Sequence, residues 1–197
     1  MIALNQPLPL PVASAEFRRR LAERRSAPAQ ALVAPGPSDT ELDEILTLGA
    51  RSPDHGKLFP WRFVVLGPQS RADIAETLAV LAERQNRPAK DQAVLAKLTA
   101  APITVLVIST PVENAKPIWE QQLSAGAVCM NLEHAAGGFG YSAAWTTDGY
   151  TYDAEAAALF GVRDGETVAG FIHIGTLTEP PLERPRPDMA TKITRLP

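Results

Sequence analysis

The chain has 197 residues, 45% of them hydrophobic and 21% charged, with a formal net charge of -3, which is enough for one substantial core and argues for a single domain. A net negative charge excludes any general attraction to nucleic acid or to an anionic membrane, so a phosphate site has to be built from local arginines. A single cysteine excludes an internal disulfide and a zinc-thiolate centre, and no apolar run approaches the roughly 18 residues of a membrane span.

Residues 1–13 are rich in proline and read as an extended arm, either a free tail or a segment laid on a partner subunit. No export signal is recognisable there, so a cytoplasmic location is expected. From Ser14 the pattern turns helical, with Phe17 and Leu21 one turn apart and a basic face of Arg18, Arg19, Arg20, Arg24 and Arg25. The helix ends in Arg24-Arg25-Ser26. Arginines on a short helix commonly form a solvated face, yet two planar cations beside a hydroxyl also supply the groups that hold a phosphate monoester.

After the turn at Pro35-Gly36-Pro37, Ser38 and Glu41 form a capping box, and Leu42, Ile45, Leu46 and Gly49 give one buried helical stripe. This helix leads to the stretch RSPDHGKLFPWRF at 51–63, which breaks at Pro53 and carries Arg51, His55 and Lys57 through a loop before the apolar run at 63–66. Such a loop, between a helix and a buried strand, is a common place to present polar groups at a pocket edge.

Gly67-Pro68 turns the chain, and Ser70 with Asp73 is expected to start a helix through Ile74, Leu78 and Leu81 that Pro88 interrupts, with a short helical piece at 93–98. The run at 103–108 reads as a buried strand, 113–117 as a polar loop, and 119–136 as the longest helix, rich in small residues that admit a close helix crossing or a subunit interface. Gly137-Gly138-Phe139-Gly140 ends it. A strand is expected at 141–146, an Asp153-capped helix to Leu159 stopped by Gly161, and a last strand at 168–174. The tail from 178 is too polar and proline-rich for a core element and must be disordered or lie on a surface. Four strands separated by helices permit either a parallel doubly wound sheet or a mixed α+β sheet.

The glycines at 137, 138 and 140 follow a helix and precede a strand, the reverse of a dinucleotide fingerprint, and neither a Walker lysine motif nor a nucleophile elbow occurs. His55, His134 and His173 have no metal-ligand spacing; the last two read as satisfied core or interface histidines, and Cys129 as a buried structural thiol. What remains is a set of arginine-serine pairs, a histidine loop and the aromatics Trp61, Trp119 and Trp145. These can hold a flat, anionic cofactor that carries the reaction itself.

The ordered motifs Arg24-Arg25-Ser26, SPDHGKLFPWRF at 52–63, WEQQLSAGA at 119–127, GFGYSAAWTT at 138–147 and VAGFIHIGT at 168–176 together resemble the nitroreductase family of FMN-dependent oxidoreductases, in its short single-domain NAD(P)H branch. The resemblance implies an α+β fold with a mixed, mostly antiparallel central sheet flanked by helices. It implies one FMN-binding domain over 14–178 with a proline-rich tail at 179–197, in an intertwined homodimer with FMN at the subunit interface. It implies hydride transfer from NAD(P)H through FMN to a small-molecule acceptor, a nitroaromatic or quinone, in ping-pong order.

By position, Arg24, Arg25 and Ser26 resemble the phosphate and ribityl contacts. Arg51 and His55 resemble residues that approach the flavin, and Trp145, Thr146 and Thr147 the segment beside its ring. The stretch Ala135, Ala136, Gly137, Gly138, Phe139 and Gly140 corresponds to one linked to nicotinamide cofactor use. No metal is implied. Gly56 to Phe59 departs from the family, where an asparagine is common in this loop and a glutamine commonly precedes Pro60-Trp61, and this keeps open an alternative, a flavin-binding or sensory protein of the same fold with little turnover.

Overall fold

A computed structural model describes residues 3–113 and 116–196. Residues 1–2 of the expected arm, 114–115 of the expected 113–117 loop and 197 of the tail lie outside it. The elements are α1 (Ala15–Glu23), α2 (Asp39–Gly49), β1 (Trp61–Leu66), α3 (Pro68–Arg84), α4 (Ala89–Ala93), α5 (Leu95–Ala100), β2 (Ile103–Ser109), α6 (Ile118–Gly138), β3 (Ser142–Thr146), α7 (Ala154–Leu159) and β4 (Thr167–Gly175).

Local chemistry explains most of the boundaries. Ser14 caps α1 by accepting from Phe17 N–H, and at α2 the full capping box forms, Glu41 returning a 2.8 Å acceptor to Ser38 N–H. Asp153 caps α7 through Ala156 N–H, and the chain leaves that helix through Gly161 at φ +74. One start differs from the expectation: α3 begins at Pro68 rather than at Ser70, with Gly67 as its cap. Proline lacks the amide that the first helical position leaves unpaired anyway, and its fixed φ suits that position. The strands begin at Trp61, Ser142 and Thr167, each a residue or two away from the apolar runs that announced them.

The four strands pair in the order β1-β2-β4-β3, each pair antiparallel. The doubly wound alternative is thereby excluded, and the mostly antiparallel α+β sheet is found. The continuous apolar run of β2 comes from burial on both faces, not from parallel pairing. Val105 and Val107 face α2 and α6 together with Ile172 and Ile174. Leu106 and Ile108 face the opposite way, with Leu78, Leu98, Phe160 and Phe171. A strand whose alternate residues feed two cores has no polar side, which is why its sequence lacks alternation.

Helix α6 is the spine of the first core. Gly49 of α2 meets it where a Cβ would lie 2.4 Å from Leu132 Cδ2, so the close approach of these two helices uses the glycine of α2 against a leucine of α6. Cys129 is buried here, and burial pushes its thiol up to about 12, keeping it neutral. By contrast α1 has no buried residue, and its Phe17 and Leu21 are exposed. The arm before it and the segment after 178 are exposed as well.

Candidate functional site

The residues singled out in the sequence fall at two places along α6. The first lies at its C-terminal half, where the loop after α1 meets the end of β3. Ala27 N–H donates to Ala143 O at 2.8 Å, fastening the loop to β3. Arg24 Nη1 donates to Glu133 Oε2 at 3.1 Å and to Ser26 Oγ at 3.2 Å. Ser26 Oγ donates to Glu133 Oε1 at 3.3 Å, and that oxygen also accepts from Trp145 N–H at 3.0 Å.

Glu133 is thus a buried carboxylate, its side chain 5% exposed, that ties Arg24, Ser26 and Trp145 together. The sequence reading missed it. Its signal was available: Glu133 stands one turn after Cys129 and next to Leu132, inside the buried face of α6, where an unpaired acid would be costly.

The tail closes on the same loop. Arg25 Nε donates to Leu182 O at 3.0 Å and Arg186 Nη2 to Arg24 O at 3.2 Å, so the segment after 178 lies on the surface beside the two arginines. Between α1 and the end of α6 opens a cleft of about 470 Å³ lined by Arg20, Arg24, Arg25, His134, Gly137 and Tyr141, among others. Ala135 and Ala136 are buried in the last turns of α6, Phe139 is half-buried, and Gly140 turns the chain at φ +87. Gly137 O accepts from Arg20 Nη1 at 2.7 Å. The basic loop and the 135–140 stretch are therefore brought to one cleft.

Trp145 is set by a close approach. A Cβ on Gly170 would sit 2.1 Å from its Nε1, and that nitrogen donates to Ala169 O at 3.0 Å. The far edge of the indole reaches Gly126 of α6. Its neighbour Thr146 points to the other face of the sheet, where its hydroxyl lies 3.3 Å from His173 Nε2, while His173 Nδ1 lies 3.0 Å from Thr104 Oγ1. Burial is the main cause that pushes His173 down to about 4, so it is neutral, the satisfied core histidine that was expected. The Thr147 hydroxyl accepts from Tyr152 at 3.3 Å. Both threonine side chains are engaged within the chain.

The second place is the N-terminal half of α6, beneath the 51–59 loop. Asp54 folds that loop by accepting from Leu58 N–H at 2.8 Å and Phe59 N–H at 3.4 Å. Around it Gly56, Lys57 and Phe59 all take positive φ. Helix α6 holds the loop from below: Ser124 Oγ donates to Pro53 O at 2.6 Å, Asn131 to Ser52 Oγ at 2.8 Å, and Glu120 pairs with His55 Nδ1 at 2.7 Å. His55 is about half exposed, at 54%, and Arg51 is exposed. An open cavity of about 410 Å³ lies here, lined by His55, Glu120, Leu123 and Ser124 with their neighbours. Glu120 and Glu133 are 13 residues apart on one helix, about 20 Å at 1.5 Å per residue. Within one chain His55, held at Glu120, is not brought to the arginine-serine loop, whereas Arg51 stands beside Ser52, which Asn131 holds two residues from Glu133 on α6. Among the described residues no group of acids, histidines and cysteines is placed to hold a metal, and no helix is long and apolar enough to cross a membrane.

This architecture, an antiparallel sheet with a long small-residue helix joining a basic loop to a histidine loop, defines a known class. The model of the Nitroreductase family matches residues 21–176, and the chain belongs to the nitroreductase family. It is 33% identical over 159 residues to "Putative NAD(P)H nitroreductase YdjA" of Escherichia coli (strain K12), covering 79% of this chain and 85% of that protein. The fold is similar to the nitroreductase-like family protein from Bacillus cereus, with a TM-score of 0.78 at 20% identity over 95% of this chain and 99% of that one. It is similar too to the FMN and NADPH-dependent nitroreductase NfnB from Sphigopyxis sp. strain HMH, with a TM-score of 0.72 at 16% identity over 91% and 98%.

Proposed function

We propose that the chain is an FMN-dependent oxidoreductase that uses NAD(P)H to reduce a nitroaromatic, a quinone or a similar small acceptor. The observation that carries this reading is the convergence of Arg24, Arg25, Ser26 and the tail's Arg186 beside the ring-side segment at Trp145. These residues fit a flavin phosphate. Arg24 spends only Nη1 on the protein among the described residues, so Nε and Nη2 face no competing partner, and Arg25 adds a second permanent cation on the same cleft.

Bound FMN would supply the redox chemistry, hydride transfer from NAD(P)H and reduction of the acceptor in separate half-reactions, a ping-pong order. The chain's own part is to bind and orient. Arg24, Arg25 and Ser26 hold the phosphate end, Trp145 with the backbone of Thr146 and Thr147 flanks the ring, and the cleft beside 135–140 receives the nicotinamide cofactor. In a homodimer Arg51 and His55 of one copy meet the arginine-serine loop of the other. The exposed Phe17, Leu21, Trp119 and Leu123 fit such a partner. A cytoplasmic location accompanies this reading.

The absorbance spectrum of the purified protein tests it. A flavin spectrum, present at isolation or after FMN titration, that bleaches on anaerobic addition of NADPH or NADH is the expected result. Colourless protein that takes up no FMN overturns the flavin site. Bound flavin that does not bleach over minutes instead marks a binding or sensory protein, the alternative that the departure of Gly56 to Phe59 from the family pattern keeps open.

A further inference from the structure

We infer that Glu133 is a positioning residue that aims Arg24 and Ser26 at the cofactor phosphate and holds them in register with Trp145; the inference rests on the flavin reading above. Glu133 divides its two oxygens between the two ends of the site. Oε2 takes Arg24, and Oε1 takes both Ser26 Oγ and Trp145 N–H. Helix α6 thereby adds a side-chain tie between the loop after α1 and the end of β3, which the Ala27–Ala143 backbone bond already joins directly.

An arginine free to rotate gives up that freedom when it closes on an anion, whereas one already clamped through a single nitrogen gives up less. The clamp leaves the remaining guanidinium face available. Charge taken alone argues the other way, because a carboxylate near a phosphate pocket repels it. Glu133 is nonetheless paired with Arg24, so the cleft meets a neutral pair there, with Arg19, Arg20, Glu23 and Arg25 as its other charged lining. The direction of the effect on affinity therefore distinguishes aiming from repulsion.

The experiment is an FMN titration, read by quenching of flavin fluorescence, of wild type, Glu133→Gln, Arg24→Ala and the double variant, with circular dichroism of each apoprotein as the check on folding. Glutamine keeps the shape and an acceptor for Trp145 N–H but cannot hold the guanidinium as an ion pair. Glu133→Gln is expected to weaken FMN about tenfold or more, and in the Arg24→Ala background to change Kd by less than about twofold, since the residue acts through Arg24. Should the glutamine variant fail to fold, Glu133→Asp in the same cycle withdraws the carboxylate from Arg24 by one methylene and is expected to show the same coupling. Equal affinity in wild type and Glu133→Gln, tighter binding in Glu133→Gln, or an undiminished loss in the Arg24→Ala background overturns the inference while leaving the flavin site standing. Wild type that takes up no FMN overturns the flavin reading, and this one with it.

Discussion

The two ends of α6 carry the same chemical device in opposite environments. Near the C-terminal end Glu133 is buried and organises three partners. Near the N-terminal end Glu120 is one-third exposed and holds one, His55, which is itself half exposed. A carboxylate withdrawn from water must satisfy its lone pairs from the protein, so it gathers donors and ties segments together. One that keeps water gains little from each partner and leaves the loop above it adjustable. The first end has the character of a fixed frame and the second that of a movable edge, a division suited to a site that binds one cofactor tightly and exchanges its other ligands.

The comparison breaks most sharply in the packing. Leu132→Ala, at a fully buried position against Gly49, is expected to cost about 2–5 kcal/mol in urea unfolding. Leu123→Ala at the exposed end, 61% accessible, is expected to stay within about 0.5 kcal/mol in the isolated chain. Similar losses at both positions would show that the N-terminal half is buried in solution, as a dimer requires. The assay is therefore run across protein concentrations.

Acid sharpens the contrast from the buried side. His173 is held at about 4 against an ordinary 6.5, so between those values the unfolded chain takes up a proton that the native chain refuses. The stability is complete above about pH 6.5 and is lost as pH falls toward 4, by an amount on the order of 3 kcal/mol. Thermal melts between pH 7.5 and 4.5 should decline less steeply for His173→Gln than for wild type. Parallel declines would assign the acid limb to other groups, such as Glu166, whose carboxyl the Arg62 hydrogen bond holds below the usual range.

The smallest effect is expected at the exposed pair. Glu120→Gln should change stability by less than about 1 kcal/mol, while increasing amide exchange of the 51–59 loop. Unchanged exchange there would show that Ser124 and Asn131 suffice to hold the loop without Glu120.

Much of the fold was legible because its causes are local. The Ser38 capping box, the Asp153 cap and the helical stripe of Leu42, Ile45 and Gly49 depend on residues a turn apart, and they form where the sequence puts them. The start of α3 was misplaced because Ser70 and Asp73 also spell a cap, and the restricted φ of Pro68 prevailed. Strand direction was not legible, since the two cores flanking β2 erase the alternation that would have marked an antiparallel strand. In the site, the charged and aromatic residues announced themselves by type, whereas the groups that arrange them showed at most that an acid was buried, as at Glu133, and not what it holds. Glu133 and Glu120 act across the tertiary fold on partners far away in sequence, and nothing in their immediate neighbours specifies those partners. The engagement of Thr146 with His173 follows likewise from the register of β3 on β4.

The irregularity in β4 bears on how this pocket could change. Where Val107 pairs with Gly170 and Ile108 with Val168, Ala169 is left over, and its carbonyl receives the indole of Trp145 while Gly170 makes room beneath it. The indole is thus seated in a notch cut by one surplus residue. A side chain at 170 would evict it, so the space beside the indole is more readily changed by exchange of Trp145 itself or by substitution at Gly126 across from it. On the flavin reading proposed above, a library aimed at acceptor range is built at those two positions and leaves the notch intact.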